Sequence, residues 1–268
     1  MTTSARLLFV GDVVGKPGRH VFSSLYPLIK KREGVDFCVV NAENAAGGSG
    51  VNEKSIAPLL AAGADVITTG DHIWRNSGVM DLIKKEHRLL RPANYPPGAP
   101  GKGSGLFWSS GGLRVGVINL MGRVFMGPMD CPFRCLTEEA SRLREQTRVV
   151  VVDFHAEATS EKEALGRFSD GRITAVIGTH THVPTADERI LPEGTAYITD
   201  IGMTGSWDSI LGREIKAVIH HFQTGIPQRF AVARENPVLQ GVIVEVDKET
   251  GRALSIRRVF ETCPEEME

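Results

Sequence analysis

Seven residues able to bind a cation fall in five short blocks, and each block sits at the end of an apolar run. They are Asp12 in Gly11-Asp12, Glu43 and Asn44 in Asn41-Ala-Glu43-Asn44, Asp71 in Gly70-Asp71-His72, His155 in Asp153-Phe-His155, and His180 and His182 in Gly178-Thr-His180-Thr-His182. The carboxylates are hard anionic oxygen donors, the Asn44 amide is a neutral one, and the imidazoles are borderline nitrogen donors. So many ligands exceed what one tetrahedral zinc takes and suit two ions that share a bridging carboxylate. Three carboxylates gathered without cations would cost several kcal/mol in repulsion and desolvation, on the order of the buried-charge penalty. Two ions roughly 3.5–4 Å apart clamp an in-line displacement at phosphorus. A hydroxide held between them is a competent nucleophile at neutral pH, because coordination lowers the pKa of water. His72, beside Asp71, is placed to protonate the leaving oxygen. The expected chemistry is phosphoester hydrolysis.

Taken singly, each block has an ordinary explanation. Asp12 reads as a turn or cap residue, Glu43-Asn44 as a polar loop, and His155 as a hydrogen-bonded histidine. It is their recurrence at successive strand ends that carries the metal reading. In an open α/β sheet ligands gather outside the carboxyl ends of the strands, so segments far apart in sequence can share one crevice.

The elements that must position these blocks read as alternating strand and helix. Apolar runs rich in valine and isoleucine, as in strands buried on both faces, occur at Arg6–Val10, Asp36–Val40, Asp65–Thr68, Arg114–Asn119, Arg148–Asp153, Thr174–Ile177 and Thr195–Thr199. Between them, Pro17–Arg32 carries Val21, Phe22, Leu25, Leu28 and Ile29 at helical spacing, with Pro27 predicting a kink or early stop. Ser160–Glu163 has the form of a capping box, and Gly63 is placed to cap a helix over Ser55–Ala62. Val238–Val246 and Arg252–Phe260, joined through Gly251, read as a C-terminal β-hairpin. The fold class is therefore α/β, with a mixed sheet or a two-sheet sandwich. Pro92–Gly105 reads as a long surface loop, and residues 1–268 as a single domain.

Composition excludes more than it identifies. The chain has 268 residues, 41% hydrophobic and 24% charged, with a formal net charge of −1. That is too apolar for disorder, and no stretch is long and apolar enough for a transmembrane helix. Near-neutrality gives no electrostatic footprint for a long nucleic acid or an anionic membrane, which favours a small ester as substrate. Met1–Val10 lacks a secretory hydrophobic region, so a cytoplasmic location is expected, with Cys38, Cys131, Cys135 and Cys263 as reduced thiols. Gly11–Lys16 lacks the spacing of a nucleotide-binding P-loop, and Pro17 stands where that loop needs a hydroxyl.

The five blocks resemble those of the calcineurin-like metallophosphoesterases. More narrowly, Gly11-Asp-Val-Val-Gly15, Asn41–Gly48, Gly178–Asp187 and Thr199–Gly205 are similar to the bacterial YmdB subfamily, and the likeness runs from about residue 5 to 260. The resemblance implies a four-layer α/β/β/α sandwich with mixed sheets and two bound ions, iron or manganese before zinc, cobalt or magnesium. It also implies phosphodiesterase activity on 2′,3′- or 3′,5′-cyclic nucleotides. Carried onto this chain, it assigns Asp12, Glu43, Asn44 and His182 to one ion. Glu43 would bridge to a second held by Asp71, His155 and His180, with His72 as the acid. Two departures stand out: Val13-Val14 follows Asp12 where the superfamily has a histidine, leaving Asn44 to substitute, and Asp71 replaces the usual asparagine. The extra anion would bind metal more tightly and make it less electrophilic. Arg123, in the glycine-hinged Met121–Gly127 segment, is a candidate substrate contact, and a homo-oligomer is compatible with the sequence. Two other readings remain open: a phosphomonoesterase using the same centre, and a regulatory protein with a weakly active metal.

Overall fold

The computed structural model describes residues 4–263. The first three residues of the N-terminal segment and the last five of the 1–268 span lie outside the described residues. The chain begins β1 (Ser4–Val10), β2 (Asp12–Val13), α1 (Gly15–Glu33), β3 (Phe37–Asn41), α2 (Glu53–Ala62) and β4 (Val66–Thr68), followed by a 3-10 turn at Ile73–Arg75. It continues through α3 (Val79–Lys85), β5 (Ser104–Trp108), β6 (Arg114–Met121), α4 (Pro132–Arg144), β7 (Val149–His155) and α5 (Thr159–Phe168). The remainder is β8 (Ala175–Thr179), β9 (Arg189–Ile190), β10 (Ala196–Ile198), β11 (Met203–Ser206), α6 (Ile215–Thr224), β12 (Pro237–Asp247) and β13 (Ala253–Thr262).

Two mixed sheets form. The first has the order β2-β11-β12-β1-β3-β4, with β13 also on β12; the second is β5-β6-β7-β8-β10-β9. Strand alternation explains how they stack, because successive side chains point to opposite faces. Leu7 and Phe9 of β1 join Val115, Val117, Val149 and Val151 in a core between the sheets. Leu8 and Val10, one residue out of phase, join Phe22, Leu25 and Ile29 of α1 in an outer core. On the far side, Val150, Val152 and Phe154 of β7 pack with Leu136 and Leu143 of α4 and Leu165 of α5. The layers are therefore helix, sheet, sheet, helix, as the resemblance implies. Each fully buried large apolar side chain contributes about 1.5–3 kcal/mol.

The C-terminal hairpin forms, and β12 lies deep in the first sheet, antiparallel to β1 in the register Val10↔Gly241 to Ser4↔Asp247. Three local expectations are corrected. Pro27 does not stop α1, which runs on to Glu33 and ends at Gly34 in a left-handed cap (φ 64°). Pro27 is exposed, so water can serve the carbonyl its missing N–H leaves free. Ser160 caps nothing: α5 starts after Ala158 without a side-chain cap, so Ser160 already lies inside the first turn. The Pro92–Gly105 loop ends earlier than expected, since Ser104 already pairs with Ile118 in β5.

Candidate metal centre

The five blocks leave the carboxyl ends of β1, β3 and β4 in the first sheet and β7 and β8 in the second, at one end of the sandwich. Potential ligand atoms of Glu43, Asp71, His155 and His180 all lie within 4.8 Å of one another, as do those of Asp12, Glu43 and His182. Glu43 belongs to both groups, and the first group joins the two sheets.

Burial makes the arrangement costly without a cation. Asp12 is 0%, Glu43 1% and His155 0% exposed. Asp12 Oδ1 and Asp71 Oδ1 are buried with no hydrogen-bond partner. Orphaned anionic oxygens beside imidazole nitrogens are a donor set that suits divalent metal ions. In the metal-free chain, protons take over part of that role. Burial pushes the Asp12 carboxyl up to about 6, against the pull of His182 and His155. Burial disfavours a charged His155, yet Glu43 and Asp71, within 3.0 and 3.4 Å of Nε2, hold it well above its ordinary value. Burial also works against the Glu43 anion, but His155 and His72 outweigh it and keep that carboxyl well below the usual range. Burial and the neighbouring His155 push His180 down to about 4.

Underneath, a polar relay orients His155. Its Nδ1 lies 2.9 Å from Thr179 Oγ1, whose hydroxyl donates to Asp153 Oδ1 at 2.7 Å. The hydroxyl oxygen thus accepts from Nδ1–H, which leaves Nε2 facing Glu43 and Asp71. Asn41 and Thr68 donate to the other Asp153 oxygen.

His180 and His182 do not project from a regular strand. Their φ angles are 102° and 65°, a left-handed conformation that costs a non-glycine residue free energy. The loop is held there by Asp200, which accepts from Thr181 N at 3.0 Å and Thr181 Oγ1 at 2.8 Å, while Lys162 Nζ lies 2.8 Å from the same carboxylate. His180 N also donates to Asp12 Oδ2 at 3.2 Å. Asn44 Nδ2 faces Glu43 Oε1 at 2.9 Å and His182 Nε2 at 3.1 Å, and its Oδ1 faces His72 Nδ1 at 2.9 Å. The glycine turn behind Asn44 is held by Arg19 on Ala45 O and by Arg213 on Gly48 O. Two block glycines are required by close approach. A Cβ on Gly70 would stand 2.1 Å from His155 Cδ2, and one on Gly178 would stand 1.7 Å from Thr199 O.

His72 lies at the rim, its side chain 27% exposed, with Nδ1 3.2 Å from Glu43 Oε1 and Nε2 3.5 Å from Asp71 Oδ2. Its hydrogen bond to Glu43, against some desolvation, raises its pKa. Arg123 lies on an exposed segment following β6. His20, His87 and His220 are exposed and away from the cluster. Sequence reasoning missed Lys162 and Glu161 as partners of the site loops, and left the role of Asp200 open. A cavity of about 880 Å³ lies elsewhere, between the start of α1 and the β12–β13 edge around Trp207 and Phe260.

A family model described as YmdB-like protein matches residues 8–259. The chain belongs to the YmdB-like family. A relative from Bacillus subtilis (strain 168), named 2′,3′-cyclic-nucleotide 2′-phosphodiesterase, is 48% identical over 255 residues, covering 95% of this chain and 96% of the relative. Among solved structures, a hypothetical protein from Thermus thermophilus is 42% identical with a TM-score of 0.90, covering 97% of this chain and 100% of that one. A novel phosphatase from Mycoplasma pneumoniae is 35% identical with a TM-score of 0.90, covering 98% of this chain and 95% of that one. This YmdB-like chain thus shares both sheets and their helices with solved relatives. No helix among its described residues is long and apolar enough to cross a membrane.

Proposed function

We propose that the chain is a metal-dependent phosphodiesterase that hydrolyses 2′,3′- or 3′,5′-cyclic nucleotides in the cytoplasm, using two ions of which iron or manganese are the best candidates. The observation that carries this reading is the membership of Glu43 in both donor groups. One ion would be held by Asp12, Glu43, Asn44 and His182, and the other by Glu43, Asp71, His155 and His180. Bound there, the ions would neutralise the carboxylates, attract the phosphate and lower the pKa of water beside phosphorus. The chain's own residues supply the rest. His155 is kept in one tautomer by Thr179 and Asp153, and the strained His180–His182 loop is fixed by Asp200. Protonated His72, held at the rim by Glu43, delivers its proton to the departing ribose oxygen.

Metal analysis of purified protein, followed by a panel of 2′,3′- and 3′,5′-cyclic nucleotides and a mono- and a bis-aryl phosphate, tests the reading. About two ions per chain and preference for diesters are expected for a bridged centre. A clear preference for the monoester would favour the phosphomonoesterase reading, which the name of the Mycoplasma pneumoniae relative supports.

A further inference from the structure

Beyond the buried Met121 the chain leaves β6 in an exposed segment whose backbone is tied to His155 of the centre. Met121, the last residue of β6, is the register partner of His155, and Gly122 N donates to His155 O at 3.0 Å. The next two amides, of Arg123 and Val124, are gripped by the Glu161 carboxylate at 3.0 and 3.1 Å, and Glu161 is itself only 8% exposed. Met126 N donates to Arg123 O at 3.3 Å and closes a turn. At its tip stands Phe125, 88% exposed, with φ 62°. A bulky residue in the left-handed region is strained, and an exposed ring gains no burial to offset the strain. The ring is therefore held in water, on an anchored loop, three residues from the backbone contact to His155.

We propose that Phe125 is the platform on which the base of a cyclic nucleotide stacks while its phosphate is held at the metal centre. This rests on the phosphodiesterase reading above and adds to it a means of recognising the end of the substrate remote from the bond broken. A ring accepts the π-face of any base, so recognition by Phe125 tolerates base identity. Stacking of this kind acts on substrate binding; the proton transfer by His72 does not involve it.

The test compares metal-loaded wild type, Phe125→Ala and Phe125→Trp on 2′,3′-cyclic AMP and on ribose 2′,3′-cyclic phosphate, which has no base. Phe125→Ala is expected to raise KM for the nucleotide about tenfold, the size of one lost base–aromatic stack, with kcat within about twofold. KM for the baseless ester stays unchanged, and Phe125→Trp restores the nucleotide KM. The platform is overturned if Phe125→Ala leaves the nucleotide KM unchanged or raises both KM values alike. A wild type that hydrolyses neither ester, nor 3′,5′-cyclic AMP, overturns the phosphodiesterase reading itself, which separates the two failures.

Discussion

Lys162 Nζ lies 2.8 Å from Asp200 Oδ2, and the two side chains are 1% and 0% exposed. Lys162 comes from α5 and Asp200 from the turn after β10, so the pair ties the outer helix layer to the loop that presents His180 and His182. Lys162→Met would leave the Asp200 anion buried without its cation, at a cost of about 3–5 kcal/mol. We expect a melting temperature lower by roughly 6–20 °C, at about 2–4 °C per kcal/mol for a chain of this size. Metal affinity is expected to fall with it, since Thr181 loses its anchor. Thermal unfolding and metal titration of the same samples check both.

His72→Gln keeps a hydrogen-bonding side chain at the rim but has no proton to give. Turnover of a cyclic nucleotide is expected to fall by about 10²–10⁴, the usual contribution of a general acid. The fall should be much smaller on bis(4-nitrophenyl) phosphate, whose leaving group departs without protonation. Parallel assays on the two esters, with metal content measured, decide it; equal losses on both would remove His72 from the acid role.

Much of this architecture is legible in the sequence. The seven donors can be grouped because each lies at the end of a buried strand, and parallel strands send their carboxyl ends to one side. Helix α1 is legible from the spacing of Val21, Phe22, Leu25 and Ile29. What the sequence conceals depends on pairings remote in the chain. Nothing near Lys162 signals that it will be buried, because its partner is 38 positions away. The Ser160–Glu163 pattern misleads because the helix already begins at Thr159, and Glu163 meets Arg189, 26 positions away. Strand β11, with Gly205 among four residues, has too little apolar pattern to announce itself.

Asp71→Asn isolates the residue by which the chain departs from the superfamily pattern. Asp71 Oδ1 is buried without a hydrogen-bond partner, and burial penalises its charge while the His155 imidazole, with Nε2 3.4 Å away, holds its pKa below the usual value. Removing the charge should weaken metal binding by about tenfold or more, in line with changes to groups around a metal. Turnover per metal-loaded site should rise, because less of the cation charge is neutralised. Calorimetry with manganese and kcat at saturating metal measure the two halves.

The pH dependence follows from three shifts. Asp12 keeps its proton up to about 6 when folded, and His155 stays protonated well above its ordinary value. Both folded pKa values lie above their unfolded ones, but His180, pushed down to about 4, binds fewer protons when folded and offsets Asp12 up to about pH 6, so the metal-free fold loses stability through His155 as pH rises above about 6.5. In chelator, the melting temperature should therefore decline above that pH. Metal must displace the same protons, so manganese affinity should fall by about tenfold per pH unit below about 6, where Asp12 is protonated. Asp12→Asn is expected to leave His180 unopposed, so that metal-free stability rises with pH between about 4 and 6.

Strand β12 pairs with β1 through Val10↔Gly241, so the strand leading into Asp12 receives one of its two neighbours only after every element from α1 to α6 has been made. At about 5–20 residues per second, roughly 10–50 s separate the emergence of those partners from the ribosome. Before that interval closes all seven donor residues have been made, yet the sheet that aims them still lacks β12. A nascent chain truncated before β12 would therefore carry the seven donor residues without the complete sheet that aims them.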